Sequence, residues 1–150
     1  MARSVASIVA AIVMVVTVSA CQQSEASRIG ACTIEPGALC AGNYMKGAHL
    51  AGSQLFAADL SVADLNGVTL SGSDLSGANL ERADLTGAKL RGAQLSYADL
   101  TGANLTKADL TGADLTAAEL GGAKVTPEQL SLTKLCRTAL PDGTIANPDC

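Results

Sequence analysis

From Leu50 to Leu120 every fifth residue is leucine, and Val125 takes the next step. Two places before each stands a small or short residue: Ala48, Ser53, Ala58, Ala63, Val68 and Ser73, then alanine at every step from Ala78 to Ala123. The residue just before the leucine is mostly Asp, Asn, Gln or Glu, as at Asp59, Asn79, Asp84 and Glu119. The residue after it is mostly Ser or Thr, and the next is often Gly. Apolar positions therefore recur twice per five residues, with a polar residue between them.

A period of five suits neither regular element. A helix turns about 100° per residue, so leucines at this spacing would spiral round it and leave no apolar stripe. In a strand, side chains alternate with period two, and an odd spacing throws successive leucines to opposite faces. A chain that bends once per five residues can aim every leucine at a common interior. Such a chain coils, and each coil buries its apolar set only against its neighbours, which is the logic of a solenoid. The Asp/Asn position should face outward. Gly and Ser at the following places permit a sharp corner.

The unit Ala-Asp-Leu-Thr-Gly at 83–87, repeated at 98–102 and 108–112, with Ala-Asn-Leu-Thr-Lys at 103–107, resembles the pentapeptide-repeat family over residues 48–125. The resemblance implies an all-β fold: a right-handed, quadrilateral parallel β-helix with four repeats per coil and Leu and Ala stacked inside. About four coils are expected, a rod roughly 15–20 Å long at the spacing of β-strands. Both ends of such a rod expose unpaired backbone and need caps. Residues 32–47, with Tyr44 and Met45, are expected to form the N-terminal cap and 126–150 the C-terminal one. There Thr126-Pro127-Glu128-Gln129 has the pattern of a capping box. A short helix over 127–135 is expected, with Leu130, Leu132 and Leu135 free to cover the last coil. The repeat itself is expected to stop at Val125, and Pro141-Asp142-Gly143 reads as a turn.

The start of the chain changes the picture. An apolar run from about Val5 to Val18 follows Arg3 and ends in Val18-Ser19-Ala20-Cys21. It is short for a membrane span. It resembles the lipobox of bacterial lipoprotein signal peptides. That resemblance implies removal of residues 1–20, a lipid on Cys21, and a polar tether over 21–31. Two or three acyl chains would anchor the protein stably. The expected address is extracytoplasmic, on the cell membrane or the outer membrane.

Five cysteines are an odd number, but assigning Cys21 to lipid leaves four. Of the three pairings open to four cysteines, Cys32 with Cys40 and Cys136 with Cys150 suit a stacked rod, because the others would join its opposite ends. A zinc site would need all four to converge, and they sit in two distant pairs.

Composition narrows the rest. The chain has 150 residues and a formal charge of -4, and Lys89, Arg91, Arg82 and Lys107 are scattered among acids, so no nucleic-acid partner is expected. The glycines are corners, with no phosphate loop between a strand and a helix. His49, the one histidine, is near Asp59 and Asp64 in sequence, but regular sides offer no pocket to desolvate a Ser-His-Asp set. The carboxylates sit in similar surroundings, which does not suit paired acid–base work. A column such as Asp59, Asn79, Asp99 and Glu119 reads as carboxylates separated by Asn to reduce repulsion rather than as a cation site. Phe56 and Tyr97 depart from the small-residue rule at outward or corner positions and are candidate contacts. No enzyme activity, cofactor, metal or small-molecule substrate is expected. The expected function is a lipid-anchored structural or interaction module for an unknown protein or cell-wall partner. The alternative is the family's DNA-mimicking, gyrase-binding branch, which an export signal disfavours.

Overall fold

The computed structural model describes residues 32–150. Its chain advances by a two-residue bend every five residues, and each straight step between bends forms one parallel bridge to the residue twenty places on. Leu39, Asp59, Asn79, Asp99, Glu119 and Ala139 form one such ladder. Tyr44, Asp64, Asp84, Asn104 and Lys124 form the next, His49, Thr69, Lys89 and Asp109 the third, and Gln54, Asp74, Gln94, Asp114 and Lys134 the fourth. Four ladders with a bend between each pair make a four-sided coil of twenty residues.

The interior is the leucine set. Leu50 to Leu120 are between 0% and 3% exposed, and Ala, Val68 and Ser73 at the small position are buried with them. At two inside places held by a hydroxyl, the coil before satisfies it. The Ser73 hydroxyl donates to the Leu50 carbonyl at 2.7 Å and the Thr138 hydroxyl to that of Leu115 at 2.7 Å. A buried hydroxyl without such a partner would cost free energy.

The amide groups of one unit, Ala83 to Gly87, show why the shape is stable. Ala83 closes its bend on Leu80 O at 3.0 Å. Asp84 donates back to Ala63 O at 2.9 Å, while Leu85 and Gly87 donate forward to Asn104 O and Thr106 O, each at 2.9 Å. The fifth amide, that of Thr86, points at no neighbouring coil and is taken by Asp84 Oδ1 at 3.0 Å. All five donors of the unit are thus paired. The bend places its second central residue at positive φ, the sign pattern of a type II turn, and Gly52, Gly72, Gly92 and Gly112 fill that place along one whole corner.

The register runs further than residues 48–125. Cys40 and Met45 occupy leucine positions and are buried, and Leu39 and Tyr44 are already in the ladders. At the other end the ladders go on past Val125: Leu130, Leu135 and Leu140 keep the count of five, and Lys134 and Ala139 bridge to Asp114 and Glu119. One step is replaced by a helix, α1 (Pro127–Leu130), capped by Thr126 and Gln129 in both directions. It is shorter than the expected 127–135. Lys134 N donates to Ala113 O at 2.9 Å, so the ladder recaptures the chain before a further helical turn can form. Leu130 and Leu135 are buried, but Leu132 is 56% exposed, so it does not serve as a lid. Gln129 Nε2 meanwhile donates to the carbonyls of Leu105 and Ala108 at 2.9 and 2.8 Å, standing in for ladder bonds that the helix gives up. The chain ends in an antiparallel pair, β1 (Thr138–Ala139) and β2 (Ile145–Ala146), joined through a turn with Gly143 at φ 83.

Candidate functional site

The four-sided path decides which side chains can meet. His49, Asp59 and Asp64 belong to three different ladders, so the structure holds them on three sides of the rod and assembles no triad from them. His49 is exposed, and Asp59 and Asp64 are half-buried. Asp59 Oδ1 accepts from the Ser61 amide at 3.0 Å and Asp64 Oδ1 from the Asn66 amide at 3.1 Å. The same bond recurs at Asp74, Asn79, Asp84, Asp99, Asn104, Asp109 and Asp114. The Asp/Asn position therefore faces out while its oxygen is committed to its own bend, an Asx turn. That role goes beyond the outward orientation expected from the sequence. The signal for it lay in the Asp-Leu-Ser/Thr spacing, which puts an acceptor two residues before an amide that the ladder leaves over.

Electrostatics follow from these bonds. The Thr86 hydroxyl, 2.5 Å from Asp84 Oδ1, is the main reason that the Asp84 carboxyl sits below the usual carboxylate range. Burial opposes the shift, and the amides of Thr86 and Asn104 support it. For Asp114 burial is the largest influence and disfavours charge. The Thr116 amide at 2.9 Å and Lys134 Nζ at 3.1 Å help to outweigh it, so this carboxyl too is held low. Both groups remain charged acceptors through the neutral range, the opposite of a carboxyl raised for proton transfer.

Cys32 and Cys40 are joined in a disulfide with Cα atoms 5.4 Å apart, and Cys136 and Cys150 in another at 4.9 Å. Among the described residues no cluster of His, Cys, Asp or Glu is arranged to hold a metal ion. Phe56 and Tyr97 are both exposed. They stand at different corner places, Phe56 first and Tyr97 second in its bend, with Tyr97 at φ 61. Cys21 lies outside the described residues. Among those described, no helix is long and apolar enough to cross a membrane.

Two open depressions sit toward the C-terminal end. One, of about 420 Å³, is lined by Val125, Pro127, Leu130, Leu135, Leu140 and Pro141, with Ser131 and Asp142 at its edge. The other, of about 550 Å³, gathers Thr106, Lys107, Lys124, Thr126 and Gln129. The first is the apolar mouth of the last coil, where leucine positions have no further coil to cover them. The second combines two lysines with hydroxyls. Neither brings a base to a nucleophile.

Ladders of parallel bridges twenty residues apart, an interior of Leu and Ala, and outward carboxylates spent on turns define a four-sided β-solenoid. The chain belongs to the family described as Pentapeptide repeats, which matches residues 37–72, 63–102 and 93–126 in 8 copies. Among solved structures it is similar to HetL, a pentapeptide repeat protein involved in heterocyst differentiation regulation in the cyanobacterium Nostoc sp. strain PCC 7120. The identity is 28%, with 73% of this chain and 65% of HetL covered and a TM-score of 0.34. A pentapeptide repeat protein of the Arabidopsis thaliana thylakoid lumen is 29% identical over 67% of this chain and 63% of that one, with a TM-score of 0.39. QnrB1, a plasmid-mediated fluoroquinolone resistance protein, is 19% identical over 71% and 72% of the two chains, with a TM-score of 0.41. The chain spans less than two thirds of the length of the first two. No curated protein matches it.

Proposed function

We propose that this is an exported, lipid-anchored pentapeptide-repeat protein that acts as a structural or protein-interaction module at the bacterial cell envelope. The observation that carries the reading is the fate of the cysteines. Cys32–Cys40 and Cys136–Cys150 lie at the two ends of the rod, and structural disulfides belong to oxidising compartments. That leaves Cys21, at the end of an apolar run and after Val18-Ser19-Ala20, as the fifth and the natural lipid acceptor. Removal of Arg3 with the signal segment makes the mature chain more acidic by one charge, which agrees with a protein or wall partner rather than nucleic acid.

The rod is a right-handed β-helix. Read from the Leu39-to-Ala139 ladder, it has five coils, one more than residues 48–125 alone suggest. Helix α1 and the closing disulfide loop form its C-terminal cap. The protein is a scaffold and not an enzyme, and it takes no cofactor, metal or small-molecule substrate. Gyrase binding, the alternative, is opposed by the export signal, since gyrase acts in the cytoplasm.

Labelled palmitate tests the reading directly. The wild-type chain is expected to take up label and to fractionate with membranes, and Cys21→Ala to do neither. Label retained in Cys21→Ala, or a wild-type chain free of lipid, would overturn the anchor.

A further inference from the structure

The outward positions are unevenly furnished. Leu39, Tyr44, Phe56 and Val62 are large, apolar and more than half exposed, all within the first two coils. Beyond Val62 only Tyr97, Leu132 and Ile145 share that description, one or two to a coil. Leu39, 84% exposed, and Tyr44 stand where later coils put Asp or Asn, at the ladder positions of two adjacent sides. Val62 stands at the corner between those sides, one coil on, and Phe56 at the corner before them.

Val62 carries a second signal. Its φ is 58°, left-handed backbone that a β-branched residue rarely adopts; at the same corner Gly42 precedes it, and Arg82 (φ 55), Gly102 and Gly122 follow. The side chain is 63% exposed, so the fold gains no core from it. A strained and exposed apolar residue in a glycine place points to a surface kept for contact.

Charge separates this end from the rest of the rod. Between residues 32 and 58 the only charged side chains are Glu35 and Lys46, while from Asp59 onward acids outnumber bases. An anionic surface would repel the body of the rod and tolerate its first coil. Lys46 adjoins the apolar set, and its stem can cover apolar surface while the cation reaches phosphate groups. The chain from Cys21 to Cys32 reaches at most about 40 Å when fully extended, and it joins the rod at the first coil.

We propose that the edge formed by Leu39, Tyr44, Val62 and the adjoining Phe56 rests in the headgroup layer of the anionic membrane that holds the protein, so that the rod stands away from it with its acidic coils outermost. A Tyr and aliphatic side chains fit that layer, where one end of a side chain is wet and the other apolar. The proposal rests on the lipid-anchor reading.

The chain contains no Trp, so single tryptophans report position without background. Lipidated full-length Leu39→Trp, Val62→Trp and Tyr97→Trp would be floated on vesicles of phosphatidylethanolamine and phosphatidylglycerol with brominated acyl chains. Circular dichroism would confirm that each variant is folded. Leu39→Trp and Val62→Trp are expected to be quenched about threefold more than Tyr97→Trp, which sits farther along the rod. A chain that floats but is quenched equally at all three sites, or at none, overturns the proposal and leaves the anchor standing. Blue-shifted emission without bromine quenching means a protein neighbour, such as a second copy, and overturns it as well. A chain that does not float overturns both readings.

Discussion

The first coil and the central coils follow the same path with different outward residues. At Asp59, Asp84, Asp99 and Asp114 a carboxylate takes up the spare amide of its own bend. At Leu39, Tyr44, His49 and Gln54 no such bond exists, yet the inward residues Cys40, Met45, Leu50 and Leu55 are as buried as any. The path is therefore set by what points in and by the ladder bonds. The outward residue adjusts stability and surface character coil by coil. A mutation series can separate these contributions.

The largest effect should come from the interior. Leu85→Ala, with coils on both sides, is expected to cost about 3–4 kcal/mol in urea unfolding. Met45→Ala, in the first of the described coils, should cost about half as much; equal losses would show that the first coil is held as firmly as the middle. Next, replacing Cys136 and Cys150 by Ser should cost about 3 kcal/mol, and replacing Cys32 and Cys40 slightly less because the loop they close is shorter. Thermal unfolding with and without reductant measures both.

Smaller effects test the outward position. Asp84→Ala removes the acceptor for the Thr86 amide and hydroxyl and should cost about 1–2 kcal/mol, whereas His49→Ala should stay within about 0.5 kcal/mol of wild type. Comparable losses would mean that the Asx bond contributes nothing. Acid probes the same bonds. The carboxyls of Asp84 and Asp114 are held below their unfolded values, so their contribution is full above the unfolded pKa of about 4 and is lost as pH falls through the folded value. The unfolding midpoint is expected to be flat near neutrality and to drop below about pH 4, less steeply in Asp84→Asn. Finally, Val62→Gly should stabilise by about 0.5–1 kcal/mol, since relief of left-handed strain exceeds the added chain entropy. A loss of stability there would place Val62 in the packing of the fold and remove one support for the membrane-facing edge.

Much of this was legible because the pattern is local. A leucine every five residues with Ala two before it names the interior set directly, and Ser53, Val68 and Ser73 did not interrupt it. The capping signal at Thr126-Pro127 was legible for the same reason. Other features were hidden because their cause lies a full coil away. Leu130 and Leu135 read as helix residues over the last coil, since Glu128 stands where the repeat would put a small residue. Only the ladder bonds to Ala113 and Ala118 show that the coil goes round again. Leu132 looked available as a lid and faces solvent, because the helix stops one turn sooner than its residues alone require.

By itself, the sequence determined the step length and the residues that must be hidden, because steric bulk and burial act within each five-residue unit. Tertiary structure decided how many steps close a coil, which amides pair across coils, and where the chain is drawn back into the stack after α1. Those outcomes depend on backbone groups that every residue carries alike. No side-chain pattern can announce them until the neighbouring coil is in place to accept the bond.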